Sequence, residues 1–527
     1  MTQGYQCLVL HAHLPYIRHP EYESFFEENW LFEAITETYI PLILDLERLR
    51  ADGFRDCMTV SLSPTLLTML LDPFLQARYL AHLDKMRRLA AKEVRRTRSD
   101  QVFYALARFY QERLEETAEV FEHRYQRNLV AAFAQLQRDG MLELITSSAT
   151  HGYLPLLKTE PAAVRAQLLV GARTFHSLVG VPSKGVWLPE CSYYPGLEGL
   201  LEEAGFCYFF VDSHGILNAT PRPYYGLSAP LSCPNGVVAF GRDPESSRQV
   251  WSRDGGYPGD YHYRDFYRDI GFDLDFDYVK PFILDGHTRI HTGFKYFRIT
   301  GRGDHKLPYE PEAAAEHVAA HAEDFVSRTR QYIAGQGERR GPAPLIVSPY
   351  DAELFGHWWF EGPQWLEAVV RRMAEKPDMA KLTTPSAYLS AYNTLQAATP
   401  SASSWGDGGY NAFWLNPGND WIYPQLHEAT RRMCAMARLH AKAKPGSLIY
   451  RALQQAGRSL LLAQASDWAF IMKTQTAKEY ALRSTRDHLA RFFYLEECIS
   501  GTIDERRLQA LEVMDQVFPD IDQAVFS

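Results

Sequence analysis

Several features are scarce in this 527-residue chain, and each scarcity narrows the reading. Between Phe74 and Asp139 there is neither glycine nor proline, so nothing punctuates that stretch, and its Arg, Glu, Ala and Leu repeat with helical spacing. The seven cysteines, Cys7, Cys57, Cys191, Cys207, Cys233, Cys434 and Cys498, are an odd number without a C-x-x-C pair. That pattern suggests neither a disulfide framework nor a zinc knuckle and fits reduced thiols in the cytoplasm. No run approaches the roughly 20 apolar residues of a membrane span. Met1 to Leu10 also lacks a basic segment followed by an apolar one, so neither membrane association nor export is expected. GRGDHKLP at Gly301 to Pro308 and GDGG at Gly406 to Gly409 fit neither phosphate-cradling pattern, and no G-x-S-x-G elbow occurs. Kinase, dehydrogenase and esterase readings weaken together. A formal net charge of −9 with scattered Lys and Arg argues against nucleic acid and favours a neutral ligand.

Short apolar runs recur at Tyr5 to Leu10, Cys57 to Leu62, Leu142 to Ile145, Gly185 to Leu188, Cys207 to Val211 and Pro344 to Val347. Each reads as a parallel strand buried on both faces. Several run directly into polar residues: His11 and His13, His151, Glu190, Asp212, and Asp351 with Glu353. Parallel strands of a barrel end on one face, where catalytic groups collect. Lys85 to Leu136 reads as a helical insertion. From about Tyr423 onward, Gln425 to His440, Ser447 to Met472, Ala477 to Cys498 and Asp504 to Val517 read as helices. The loop Ser401 to Asp420, dense in Gly, Asn and Ser, joins the two parts.

Glu190 in GVWLPECSYYPG and Asp351 in LIVSPYDAELFGHWWFEG each follow a strand and stand beside aromatic residues. Two carboxyls from separate strands suit a double displacement at a sugar anomeric carbon. Each taken alone also suits a salt bridge or a helix cap. Glu353 competes with Asp351, because alternate residues of a strand share a face. His11 and His13 suit either a metal or hydrogen bonds to sugar hydroxyls; no further ligand pattern such as H-E-x-x-H is present, so the second is preferred and neither metal nor cofactor is expected. His151 in THGYLPLL and Asp467 in ASDWAF are polar groups beside aromatics. Rings make up 13% of the residues, and several sit in polar loops where a sugar ring could stack.

Five ordered motifs, HAHLPY at His11, THGYLPLL at Thr150, WLPECSYYPG at Trp187, SPYDAELFGHWWFEG at Ser348 and ASDWAFIM at Ala465, resemble glycoside hydrolase family 57, and within it the 1,4-α-glucan branching enzymes. The resemblance implies an α/β fold, an incomplete TIM-like (β/α)7 barrel, over 1–77 and 141–400, with a loop insertion at about 191–250. It further implies a helical insertion at 78–140 and a C-terminal helical domain over 401–527. By the same resemblance Glu190 is the nucleophile and Asp351 the general acid/base of a retaining mechanism, without cofactor or metal. Trp30, Trp405 and Trp414 would hold the glucan, and Arg264, Asp467 and Gln475 are candidates for its subsites, beside His11, His13 and His151. Ser232 to Arg248 is the candidate for a mobile loop over the site. The implied partner is an α-glucan, amylose or glycogen, with no nucleic acid and no membrane; a monomer is compatible. Amylase, 4-α-glucanotransferase and catalytically silent glucan-binding protein are the alternatives.

Overall fold

The computed structural model describes residues 3–252, 255–284, 286–301, 303–337 and 340–527. Seven parallel strands form its centre: β1 (Tyr5–Ala12), β2 (Met58–Leu62), β3 (Leu142–Ser147), β4 (Gly185–Trp187), β5 (Tyr208–Val211), β6 (Val238–Gly241) and β7 (Leu345–Asp351). Their order is β6-β5-β4-β3-β2-β1-β7, each paired in parallel with its neighbour. Among the described residues β6 and β7 form no ladder. One main-chain bond, Asp243 N–H to Val347 O at 2.8 Å, spans the seam between them. The sheet is therefore a curled barrel left open at a single position, as expected.

The apolar runs are continuous because both faces of the sheet are buried. Side chains alternate across the pleat. Cys7, Val9, Ile145, Trp187, Tyr208, Phe210, Phe240 and Val347 pack together in one cluster. Leu8, Leu10, Val60, Leu144, Val186 and Phe209 join the larger core formed with the helices.

All six strands read from the sequence are present. The seventh, β6, lies within the stretch expected to be a loop insertion and in the segment Ser232 to Arg248 expected to be a mobile loop. That expectation is corrected: Leu231–Ser232 pairs antiparallel with β6 around a turn at Gly236 (φ 91°), and Pro244–Trp251 is helical. Pro234, Asn235 and Gly236 dominated the composition, while the four-residue strand was too short to stand out. The long excursion comes after β6 instead, over 242–344, and includes the helix Pro311–Gly335.

Between β2 and β3 the chain forms helices Pro64–Leu71, Pro73–Arg96, Gln101–Glu119 and Leu129–Arg138. Asp72 and Asp100 cap the second and third, accepting main-chain N–H bonds from Phe74 and Val102 at 2.7 and 3.1 Å. Helices Ile422–Leu439, Leu448–Ala463, Ser466–Thr474, Lys478–Ser500 and Glu505–Met514 pack at the C-terminal end. The single helix read over Ser447 to Met472 is in fact two. Ala465 leaves the helical conformation to bridge Gly152, and Ser466 N–H donates to His151 O at 3.1 Å. This tertiary contact overrides the helical pattern and sets Asp467 in a first helical turn facing the barrel mouth. No helix among the described residues is long and apolar enough to cross a membrane.

Candidate active site

Because the strands are parallel, their C-terminal ends share one face, and the polar residues that follow them meet there. They line a cleft of about 630 Å³ that includes His11, His13, His151, Arg264, Glu190, Asp351, Glu353, Trp405 and Asp467. Asp351 is the last residue of β7 and is level with His11 on β1.

Glu190 follows β4 in a tight turn. Its φ of 61° is left-handed, as are those of Cys191 (50°) and His151 (56°). Non-glycine residues avoid this region and occupy it mainly where surrounding contacts hold them. For Glu190 those contacts come from the loop carrying Trp405: Trp405 N–H donates to Glu190 O at 3.0 Å, and its indole Nε1–H donates to Glu190 Oε2 at 2.6 Å. The indole in turn stands edge-on to Trp187, 5.1 Å between centroids, and lies under the Arg242 guanidinium at 5.2 Å.

The three histidines form a stack. His11 lies flat on Trp187, 4.6 Å between centroids, and His13 on His151 at 4.0 Å. Ser61, Ser63 and Ser466 each meet the Nδ1 of one of them, His11, His13 and His151, at 2.9 to 3.1 Å. His11 Nε2 meets His151 Nε2 at 3.0 Å, so one donates and the other accepts. Burial, and then the neighbouring imidazoles, lower the pKa of His11 and His151 well below the usual value. Both are neutral hydrogen-bonding groups at physiological pH. His13 Nε2 lies 3.2 Å from both carboxylate oxygens of Asp467, and its main-chain N–H donates to Glu353 Oε1 at 3.2 Å. Glu353 is further engaged by the Tyr39 hydroxyl. It is thereby committed to holding the β1 end, which leaves Asp351 as the less encumbered acid of this segment.

Burial pushes both Glu190 and Asp351 up, to about 8 and about 7. The Trp405 donor opposes the shift at Glu190, and His13 and Arg242 oppose it at Asp351, while the Asp351 charge adds to the rise at Glu190. Glu190 feels the Asp351 charge, so the two carboxyls form a dyad, and burial pushes both toward neutrality.

Three residues expected to hold the glucan or form its subsites are not among those lining this cavity. Trp414 is only 1% exposed and stacks on Tyr153 at 4.3 Å, so it is a core ring behind the joining loop. Trp30 is half-buried with its ring edge-on to Tyr480, 6.0 Å between centroids, and does not line this cavity. Gln475 caps the helix Ser466–Thr474 in a left-handed conformation, with its amide turned back to Met472 O. Other rings take the cleft wall: Trp251, Phe266, Tyr267, Trp358 and Phe470. Trp358 is 54% and Trp251 41% exposed. The sequence signal for Trp358 was the doublet in GHWWFEG, where adjacent residues face opposite ways; Trp359 is the buried one, at 1%.

A family model described as glycosyl hydrolase family 57 matches residues 7–399. The chain belongs to glycosyl hydrolase family 57. A second model, described as the C-terminal region of 1,4-alpha-glucan branching enzymes, matches residues 425–526. The chain is 33% identical to a 1,4-alpha-glucan branching enzyme of Thermococcus kodakarensis, over 98% of this chain and 77% of that protein. Among solved structures it is similar to the alpha-amylase AmyC from Thermotoga maritima, with 43% identity, a TM-score of 0.93, and 100% and 99% of the two chains covered. It is also similar to the GH57-type branching enzyme from Pyrococcus horikoshii, with 33% identity, a TM-score of 0.88, and 100% and 97% covered.

Proposed function

We propose that this protein is a retaining 1,4-α-glucan branching enzyme, with Glu190 as nucleophile and Asp351 as general acid/base. The observation that carries the chemistry is the convergence of two half-buried carboxyls, one just after β4 and one ending β7, on one aromatic-walled cleft, with the Trp405 N–H fixed on Glu190. The match of residues 425–526 to the branching-enzyme C-terminal model supports the choice of acceptor.

In the first step Glu190 attacks C1 of an internal α-1,4-linked glucose while Asp351 protonates the departing oxygen. A glycosidic oxygen can only accept a proton, so bound substrate selects the form of the dyad with Asp351 protonated and Glu190 ionised. The Trp405 N–H stabilises that same form. In the second step Asp351 takes the proton of an incoming C6 hydroxyl as it attacks the glucosyl-enzyme, and the α configuration is retained. His11, His13 and His151 would bond sugar hydroxyls, and Trp251, Trp358 and Trp405 would offer apolar faces to glucose rings. The substrate is amylose or the growing glycogen chain. Seven free thiols are consistent with a place in the cytoplasm.

An amylase is the second reading, favoured by the 43% identity to AmyC. The covalent chemistry is the same and only the acceptor differs. Incubation with amylose, proton NMR for α-1,6 linkages and a reducing-end assay on the same sample separate the two. New α-1,6 signal with few new reducing ends is expected; abundant reducing ends without that signal would establish hydrolysis instead.

A further inference from the structure

Next to the cleft, where the barrel meets the helices Pro73–Arg96 and Gln101–Glu119, lies a smaller cavity of about 60 Å³. Its polar lining includes Arg113, Arg264, Glu37, Glu33, His82 and Thr117. Arg264 faces both spaces and is only 4% exposed. Its Nη2 reaches Glu37 at 3.1 Å, but its Nε and Nη1 have no hydrogen-bond partner. Arg113 makes no side-chain hydrogen bond or ion pair among the described residues; its guanidinium lies 4.7 Å from the Phe360 ring centroid, and that of Arg264 lies 3.8 Å from the same centroid.

Two guanidiniums thus share one aromatic ring with one committed countercharge. Despite burial, Arg264 and His357 hold Glu37 ionised, down to about 2. Burial moves the other carboxyls the opposite way: Glu33 is pushed up to about 7, and Glu361, which accepts the Arg264 main-chain N–H, is also raised. Among the described residues Arg113 thus faces the cavity with no carboxylate in ion-pair contact, beside the two free donors of Arg264. Water would fill the free donors but not balance the charge. At about 10–15 Å³ per enclosed water in this measure, the space suits a few bodies of that size and is far smaller than the neighbouring cleft.

We propose that this cavity binds one small monovalent anion of the halide type between Arg113 and Arg264. Arg264 also walls the cleft, so the anion steadies that wall and couples salt composition to glucan binding. The test compares thermal midpoint and KM in chloride and in gluconate at constant ionic strength, gluconate being too large to enter. Chloride is expected to raise the midpoint by about 2 °C or more, rising with the logarithm of its concentration above saturation, and to lower KM; bromide should reproduce both effects. Arg113→Gln, shown folded by circular dichroism, should behave in chloride as the parent does in gluconate. A crystal grown in bromide should show an anomalous peak between the two guanidiniums. Equal midpoints in the two salts, a chloride response surviving in R113Q, or a bromide crystal without a peak in this cavity would each overturn the proposal.

Discussion

Replacing Trp405 with phenylalanine separates two roles that one indole combines. The ring could act by stacking on glucose, or the Nε1–H could act by holding the Glu190 carboxylate at 2.6 Å. Phenylalanine keeps an aromatic face against Trp187 and Arg242 and removes only the donor. A hydrogen bond to a charged group contributes about 1.5–3 kcal/mol, and about 1.4 kcal/mol corresponds to tenfold in rate, so kcat should fall by about 10- to 150-fold. The donor lowers the Glu190 pKa, and its loss raises that pKa further. Glu190 carries the higher of the two values, so the alkaline limb of the rate profile should move to higher pH, by about one unit or more, while the form with Glu190 ionised and Asp351 protonated becomes rarer. KM should change little. The assay is initial-rate kinetics on amylose across pH, scoring bond cleavage and transfer together. An unmoved alkaline limb with kcat within about twofold of the parent would refute the role given to the N–H, and a large rise in KM alone would assign Trp405 to stacking.

Other outcomes follow from the same geometry. The parent profile should be bell-shaped, with limbs near the dyad values of about 7 and about 8, because activity needs one proton on the pair; a single sigmoid would contradict the shared-proton account. Glu37→Gln should destabilise the fold at neutral pH by about 3 kcal/mol, since it strands Arg264 without its partner. The Glu37 pKa is depressed on folding, so its contribution is present above about 4.5 and lost as pH falls toward about 2; denaturant titrations of parent and variant should converge over that range. Trp358→Ala should raise KM for amylose by about 2- to 10-fold, as expected for a lost aromatic contact of about 0.5–1.5 kcal/mol, and leave stability nearly unchanged. Trp414→Ala should instead cost about 3–5 kcal/mol of stability, as a core truncation does.

What the sequence disclosed depended on how locally each feature is determined. Strands buried on both faces print continuous apolar runs, so six were legible, whereas Val238–Gly241, four residues beside a Pro-Asn-Gly turn, was not. Glu190 and Asp351 stood out because each closes a strand, and the parallel topology then brings them to one face. The wall of the cleft was harder to read. Whether a loop tryptophan faces substrate or core depends on contacts hundreds of residues apart, so Trp405 was found at the site while Trp414, nine positions on, lies stacked on Tyr153. Arg242, which braces Trp405, follows the strand that composition concealed. Asp467 reaches His13 only because the helix breaks at Ala465, a tertiary effect that periodicity cannot register.

The most direct test of the account is to trap the covalent intermediate. Incubation with a slowly turned-over fluorinated α-glucosyl fluoride, followed by peptide mass mapping, should place a glucosyl ester on Glu190. A label on Asp351 or Glu353, or turnover of amylose undiminished in Glu190→Gln, would contradict it.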